Sequence, residues 1–156
     1  GYEIAKSLLK KGVETTLITG PTNLSDPKNL KTITPDYMGF NIISGPDKPM
    51  FPGQIIQYIV TPVLNIPTKW VTEITHVQDK KYFVDEQRFG PYSLWHHKHF
   101  LKEIPGGVEM EDIIDYKIPM GILGQLVHPI LVKPKLDEIF EYRRKKLIEL
   151  FGVYKE

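Results

Sequence analysis

Six short strand-like segments follow one another in the middle of the chain, and each is joined to the next by a short connection. They cover residues 40–44, 54–61, 68–77, 82–89, 94–103 and 108–117. The connections are rich in proline, glycine, asparagine and aspartate, which are the residues of tight turns. A parallel return needs a dozen or more residues, so connections this short favour antiparallel neighbours. The sequence therefore predicts an antiparallel meander that is curved or nearly closed.

An amphipathic pattern follows the strands. Apolar residues recur at helical spacing from Leu136 to Leu150, with charged residues on the opposite side, and Gly152 ends the pattern. The stretch before it contains Gly121, Gly124, Pro129 and Pro134. These residues predict a flexible, interrupted segment ahead of the helix. We therefore predict an α+β fold in which one long C-terminal helix lies across the concave face of the sheet.

Composition excludes several classes of protein. The 156 residues fit one domain and include no cysteine, which rules out disulfides, thiolate metal sites and cysteine nucleophiles. The formal charge of +1 gives no broad reason to expect nucleic acid as a partner. The basic run Arg143-Arg144-Lys145-Lys146 is more typical of a solvated helix face. No apolar run has the length of a membrane span. We expect a cytoplasmic protein, and the oligomeric state stays open.

The first residues predict a helix and then a strand. Apolar residues from Ile4 to Leu9 recur at helical spacing, and Gly12 is a natural helix stop. Residues 13–19 are β-branched and strand-like, and Gly20-Pro21 ends them. We expect 13–19 to form the first edge strand, because an uncovered sheet edge invites aggregation. A short helical turn is also expected around residues 26–33.

A group of polar side chains is predicted on three consecutive strands. The three-residue loop 90–92 pairs Phe83 with His99, Asp85 with His97 and Gln87 with Trp95. The tight turn at Pro105-Gly106 pairs His99 with Asp112, His97 with Ile114 and Trp95 with Tyr116. Because side chains alternate along a strand, all of these then share one face. A change of one residue in the first loop would turn Asp85 and Gln87 to the other face.

This constellation fits three kinds of chemistry. Apolar walls with a few placed polar groups suit a small hydrophobic ligand, which is the partner we expect. The Asp–His pairs also suit acid–base catalysis, with His97, His99 and Asp112 as candidates, or a buried network that satisfies itself. Together with Asp85, these side chains are also of the type that binds zinc or iron. Nothing in the spacing demands an ion, so we predict no metal and no cofactor.

Arg143 and the other histidines have alternatives of their own. Arg143 lies within the apolar stripe of the last helix. Its guanidinium either points inward to Asp112, Asp85 or an anionic group of the ligand, or extends along the edge of the stripe to solvent. Of the other histidines, His96 points to the opposite face of the sheet. His76 and His128 are expected to be surface or core residues.

Residues 25–152 resemble a bacterial group of the SRPBCC superfamily, the START-like, birch-pollen-allergen-like helix-grip proteins. The motifs that carry the resemblance are Ser25-Asp26-Pro27-Lys28-Asn29-Leu30, Ile33-Thr34-Pro35, Trp70-Val71-Thr72-Glu73-Ile74, Phe83-Val84-Asp85-Glu86-Gln87, Gly90-Pro91-Tyr92, Trp95-His96-His97-Lys98-His99-Phe100, Gly107-Val108-Glu109-Met110-Glu111-Asp112, Tyr116-Lys117-Ile118-Pro119 with Gly121 and Gly124, and Ile139-Phe140-Glu141-Tyr142-Arg143. The resemblance implies a curved sheet wrapped around a long helix, with an internal cavity for a lipid- or polyketide-like molecule. Two alternatives on this fold are a cyclase or aromatase that uses the Asp–His pairs, and a structural or interaction module whose cavity is filled.

Residues 1–24 resemble a different family, phosphopantothenoylcysteine synthetase. The resemblance is carried by Gly1-Tyr2-Glu3-Ile4-Ala5-Lys6 and by Thr16-Leu17-Ile18-Thr19-Gly20-Pro21-Thr22-Asn23-Leu24. The Ser-Gly-Lys nucleotide loop that precedes this stretch in that family is absent, so we expect no ligase activity and no binding of CTP or phosphopantothenate. We expect an atypical helix–strand segment over 1–24 and a ligand-binding domain over 25–156. A natural fusion, a gene-model error or a chimera would each explain the join.

Overall fold

Seven strands form one antiparallel sheet in the computed structural model, which describes residues 10–19, 34–45, 49–61 and 66–152. The strands are β1 (Lys10–Thr19), β2 (Asn41–Ser44), β3 (Gln54–Val60), β4 (Thr68–Gln78), β5 (Tyr82–Phe89), β6 (Leu94–Ile104) and β7 (Gly107–Lys117), and a 3-10 turn at Asp36–Met38 precedes β2. Their order in the sheet is β1-β7-β6-β5-β4-β3-β2. The six predicted strands of the meander are therefore confirmed, each end to within one residue.

β1 joins the sheet through the last strand of the meander. Lys10 pairs with Tyr116 and Thr19 pairs with Gly107, so β1 is one edge of the sheet and β2 is the other. This confirms the edge strand predicted for residues 13–19. The predicted helix end at Gly12 is wrong, because residues 10–12 already pair with β7 and this pairing outweighs a weak helix-stop signal. The rest of that helix and the turn at 26–33 lie outside the described residues.

A continuous helical stretch follows β7. It consists of α1 (Gly121–Val127), a π turn (His128–Val132) and α2 (Lys133–Phe151). The prolines do not end the helix as predicted; the stretch instead passes through a π turn that contains Pro129. In the π turn the N–H of Lys133 donates to the carbonyl of His128, five residues back, so the helix continues past Pro129 despite its missing N–H. Gly124 is a packing position, since a Cβ there would clash with the carbonyl oxygen of Pro119.

The core forms three clusters between the curved sheet and the helix. The largest is centred on Tyr58 and Trp70 of β3 and β4. A second contains Ile114, Tyr116 and Leu136, and a third contains Val108, Met110 and Leu147. Two of the clusters thus join α2 to β7. This confirms the predicted helix that lies across the concave face of the sheet.

The first half of the helical stretch exposes large apolar side chains to solvent. Met120, Ile122, Leu123, Leu126 and Ile130 are each at least 61% exposed. We refer to these five residues as the exposed apolar face. Among the described residues, no helix is both long enough and apolar enough to cross a bilayer.

Candidate functional site

Five charged or titratable side chains meet between the sheet and α2. They are Asp85 of β5, His97 and His99 of β6, Asp112 of β7 and Arg143 of α2, and we call them the polar cluster. His97, His99 and Asp112 are only 6%, 3% and 4% exposed. Burying charged groups in this way is costly unless they are paired, so the contacts among these five residues determine what the site can do.

The strand register brings the predicted residues together. Phe83 pairs with His99 and Asp85 with His97 across β5 and β6. His99 pairs with Asp112, His97 with Ile114 and Trp95 with Tyr116 across β6 and β7. These predicted pairs are confirmed. The pair of Gln87 with Trp95 is not formed, because the β5–β6 ladder ends at Glu86 and His96.

Each imidazole lies between two carboxylates. Asp85 Oδ2 is 3.6 Å from His97 Nδ1 and 3.7 Å from His99 Nε2. On the other side of the rings, Asp112 Oδ1 is 3.4 Å from His97 Nε2 and 2.5 Å from His99 Nδ1. The ring centroids are 3.8 Å apart. The two rings are thus neighbours, with one carboxylate at each end of the pair.

Arg143 reaches this pair from the helix. Its Nη1 is 3.7 Å from Asp112 Oδ2, and its Nη2 is 3.5 Å from His99 Nδ1. The side chain is 11% exposed. The predicted contact with Asp112 is therefore confirmed, and the alternative in which the guanidinium extends to solvent is wrong.

The polar cluster does not satisfy its own hydrogen-bonding atoms. The buried side-chain atoms without a hydrogen-bond partner in the described part of the chain are Trp70 Nε1, Asp85 Oδ2, His97 Nε2, Asp112 Oδ1 and Arg143 Nε. The contacts of Asp112 Oδ1 with the two imidazoles are close but lack hydrogen-bond alignment. Nearly all buried polar atoms in folded proteins have a partner, so four unpaired atoms within one cluster mark it as unusual.

The two histidines have opposite pKa shifts. Burial, reinforced by the charge of His99, lowers the pKa of His97 to about 4. Burial also acts to lower the pKa of His99, but the carboxylates of Asp112 and Asp85 outweigh it and raise that pKa above its ordinary value. The site thus holds a neutral imidazole beside one that favours the protonated form.

The two carboxyl groups are stabilised as anions. Burial acts to raise the pKa of Asp85, but the two histidines outweigh it and the pKa is lowered. Burial has the same effect on Asp112, where Arg143 and His99 hold the pKa well below its usual range. The positive charge of Arg143 offsets part of the negative charge of the two carboxylates, and protonation of His99 would offset the rest.

Aromatic rings pack next to the polar cluster. Phe83 stacks on His99 at a centroid distance of 4.0 Å, and Trp95 meets His97 edge-on at 6.0 Å. The rings continue from Trp95 across the sheet, and we call this set the aromatic cluster: Tyr58, Trp70, Tyr92, Trp95 and Tyr116. Trp70 contributes one of the unpaired polar atoms. An apolar surface and a polar group therefore adjoin.

Two of the predicted site residues have other partners. Gln87 donates from Nε2 to the carbonyl of Tyr92 at 2.6 Å and accepts the N–H of Tyr92 at 3.2 Å, so it anchors the loop 90–92. The hydroxyl of Tyr116 lies 2.7 Å from Nε2 of the buried His128. His96 is on the opposite face of the sheet, as predicted, where it contacts Glu86 at 3.0 Å.

Sequence reasoning missed Tyr58, Trp70, Tyr92 and Phe140 as neighbours of the site. Tyr58 pairs with Trp70 across β3 and β4, and Phe140 meets His97 edge-on at 6.1 Å. The alternation of Trp70 with the buried Thr72 and Ile74 was a usable signal for the face on which Trp70 lies. The connection between β3 and β4 left their register open, so Tyr58 could not be placed.

Comparison with solved structures identifies the architecture. No family model matches the chain, and no curated protein sequence matches it. The protein TTHA0849 from Thermus thermophilus superposes with a TM-score of 0.66 at 13% identity, covering 90% of this chain and 95% of that one. Major latex-like protein 151 from Panax ginseng gives 0.66 at 12% identity, covering 92% and 98%. A Thalictrum norcoclaurine synthase point mutant in complex with a transition-state analogue gives 0.62 at 13%, covering 91% and 96%.

The chain has a helix-grip fold. The shared fold is the one that the resemblance of residues 25–152 implied, so that expectation is confirmed at the level of the fold. The resemblance of residues 1–24 to phosphopantothenoylcysteine synthetase has no support from these comparisons. Residues 10–19 of that segment instead form β1 of the helix-grip sheet. The division of the chain at residue 24 stays a prediction.

Proposed function

We propose that this helix-grip protein binds a small hydrophobic or amphipathic molecule between the sheet and α2, with the polar cluster orienting the polar group of that molecule. The observation that carries the proposal is the set of unpaired buried atoms beside the aromatic cluster. Binding sites for small molecules combine apolar walls with a few convergent polar groups. The expected cytoplasmic location is part of this proposal.

The unpaired atoms indicate the chemistry of the ligand. The indole N–H of Trp70 and Nε of Arg143 are donors, so they call for an acceptor such as a carbonyl or carboxylate oxygen. Asp85 Oδ2 is an acceptor and calls for a hydroxyl or another donor. The aromatic cluster offers ring faces to an apolar skeleton. A lipid- or polyketide-like molecule with both hydroxyl and carbonyl groups meets these requirements.

A second candidate is acid–base catalysis on a ligand bound at this site. It is favoured by the opposite pKa shifts of the two histidines, since a neutral His97 can accept a proton and a raised pKa makes His99 the more readily protonated ring, from which a proton can be donated. The two rings are close enough to act on neighbouring atoms of one molecule. This candidate requires the binding proposed above, so binding is the first property to test.

The binding test uses the tryptophans as reporters. The chain has two, Trp70 and Trp95, and both belong to the aromatic cluster. The probe is anilinonaphthalene sulfonate, which has an apolar ring system and one anionic group and can accept energy from excited indole. The exposed apolar face would also attract this probe, so the titration uses the Ile122→Ser/Leu126→Ser background. Ligand copurifying with the protein is removed first.

We expect saturable, indole-sensitised probe fluorescence at a ratio of one probe per chain, with micromolar affinity retained in the Ser background. Probe binding that is lost when Ile122 and Leu126 are replaced by serine would contradict the proposal. Binding without energy transfer from tryptophan would contradict it as well. Mass spectrometry of any molecule that copurifies with the untreated protein then identifies the ligand class.

A further inference from the structure

We propose that Asp85, His97 and His99 bind a single divalent transition-metal ion of the zinc or iron type. Asp112, held by Arg143, lies at the ring nitrogens that face away from Asp85 and orients the two imidazoles. The proposal goes beyond ligand binding, does not rest on it, and departs from the sequence-based expectation of no metal. It concerns one corner of the polar cluster, where three potential ligand atoms converge. An ion at Asp85 Oδ2 would take the place of the donor that this atom otherwise requires.

The spacing of the three atoms suits one ion. Asp85 Oδ2, His97 Nδ1 and His99 Nε2 all lie within 4.8 Å of one another, and the oxygen is 3.6 and 3.7 Å from the two nitrogens. Bonds of about 2.0–2.2 Å in a tetrahedral arrangement place ligand atoms roughly 3.4 Å apart. The two oxygen–nitrogen distances need to shorten by only a few tenths of an ångström, whereas the nitrogen–nitrogen distance, with its limit of 4.8 Å, requires a rotation of the imidazoles toward each other of up to about 1.4 Å.

The carboxylate oxygen among these three atoms has no aligned hydrogen bond that an ion would have to replace. Asp85 Oδ2 is buried and has no hydrogen-bond partner, although two ring nitrogens face it. The distances of 3.6 and 3.7 Å are too long for hydrogen bonds and are typical of two ligands of the same ion. The contact of a carboxylate with two imidazoles at this distance is explained by a shared cation.

The number of protons on the two imidazoles also favours a cation at this position. A neutral imidazole has one N–H and one lone pair. In the polar cluster all four ring nitrogens face carboxylate oxygens, two toward Asp85 and two toward Asp112. Two neutral rings therefore leave two lone pairs facing anionic oxygens, and one extra proton still leaves one. A cation between the rings and Asp85 would take up the lone pairs of His97 Nδ1 and His99 Nε2 and would leave N–H groups facing Asp112 Oδ1. The guanidinium of Arg143, now 3.5 Å from His99 Nδ1, would then pair with Asp112 alone.

Asp112 and Arg143 then act as positioning residues. In metal sites the second nitrogen of a histidine ligand usually donates to a carboxylate, which fixes the tautomer and the ring orientation. Asp112 Oδ1 faces the second nitrogen of both rings, and Arg143 contacts the other oxygen of Asp112 at 3.7 Å. One carboxylate thus orients both histidine ligands.

The donor set limits the choice of ion. Two imidazole nitrogens and one carboxylate oxygen, with no sulfur, suit Zn²⁺ and divalent iron, cobalt or nickel better than copper(I) or calcium. Three protein ligands also leave a coordination position open, as in catalytic rather than structural sites. We use Zn²⁺ as the test ion, and Co²⁺ as its spectroscopic substitute.

The test titrates ZnCl₂ into the untagged, chelator-treated chain by calorimetry at neutral pH, without organic ligand. We expect one site per chain with a micromolar or tighter Kd, and visible d–d absorption when Co²⁺ replaces Zn²⁺. Asp85→Asn keeps the shape of the side chain and is expected to weaken binding more than tenfold. Asp112→Asn leaves all three ligands in place and is expected to weaken it by roughly 10–100-fold.

His96→Ala is the matched control, because His96 is on the same strand and has its own carboxylate partner on the opposite face. It is expected to leave Kd unchanged. Circular dichroism establishes that each variant is folded. A wild-type chain without saturable binding, or equal Kd values in wild type, Asp85→Asn and Asp112→Asn, would overturn the metal site. Repeating the anilinonaphthalene sulfonate titration in chelator separates the proposals, since probe binding can persist when metal binding fails.

Discussion

The two histidines of β6 differ in environment although they are two residues apart. His97 has the ring of Phe140 edge-on beside it, and His99 has Phe83 stacked on one face with the charge of Arg143 near its Nδ1. Both contact the same two carboxylates, yet the closest contact of Asp112 is to His99. The proton therefore favours His99. The chemistry of the site depends on this asymmetry between two residues of the same type.

Stability of the chelator-treated protein should depend on pH through this asymmetry. The pKa of His97 is about 4 when folded and about 6.5 when unfolded, so the unfolded state binds more protons between these values. Stability should therefore fall as pH drops from 6.5 to 4, by up to about 3 kcal/mol. His99 has a raised pKa, so its contribution is complete below about 6.5 and is lost as pH rises through the folded value.

Urea unfolding between pH 4 and 9 measures this dependence. We expect a maximum in the free energy of unfolding near pH 6.5 for the wild-type chain. In His97→Gln the free energy of unfolding should change little between pH 6.5 and about pH 4. Below about pH 4 it should fall, because protonation of Asp85 and Asp112, whose pKa values are lowered in the folded state, then destabilises the fold. An identical acid slope in His97→Gln would show that His97 is not buried in its neutral form.

At the scale of elements, the sequence predicted the strands because their connections are short. The loop 90–92 and the turn at Pro105-Gly106 leave little freedom of register, so the pairing of Asp85 with His97 followed from counting residues. The start of the helix could not be predicted in this way. Pro129 is a helix breaker by local propensity, and only the π turn in the folded chain removes that conflict.

The β5–β6 loop offers a test at this scale. A Cβ on Gly90 would clash with Oε1 of Gln87, the atom that accepts the N–H of Tyr92. Gly90→Ala should displace that side chain and break both of its hydrogen bonds, at a cost of about 1–2 kcal/mol. Gln87→Ala removes the same bonds, so the costs in the double variant should be clearly less than additive. Strictly additive costs in denaturant unfolding would contradict this role for Gln87.

At the scale of the whole molecule, the helix is held to the sheet on both sides of the polar cluster. Leu136 packs with Ile114 on one side, and Leu147 packs with Met110 on the other. The cluster itself contributes few aligned hydrogen bonds to this arrangement. The packing of the helix on the concave face of the sheet was predicted from the spacing of the strands and the apolar stripe of the helix. The sequence could not predict that the cluster would be unsatisfied, because this depends on the directions of side-chain atoms.

The most direct test of the account compares two alanine variants in the Ile122→Ser/Leu126→Ser background. His97→Ala removes a group of the proposed ligand site, and Leu147→Ala removes a core side chain that is 1% exposed. Leu147→Ala should cost about 2–5 kcal/mol of stability and leave probe affinity per folded molecule unchanged. Water entering a ligand-sized space can solvate the carboxylates after His97 is removed, so its effect on Tm should be small.

Anilinonaphthalene sulfonate titration and thermal unfolding are measured on the same samples. For His97→Ala we predict a loss of probe affinity of about tenfold or more, equivalent to about 1.4 kcal/mol, with a drop in Tm of only a few degrees. A large drop in Tm with unchanged affinity in the remaining folded protein would instead show that His97 belongs to a structural network, and would contradict the proposed ligand site.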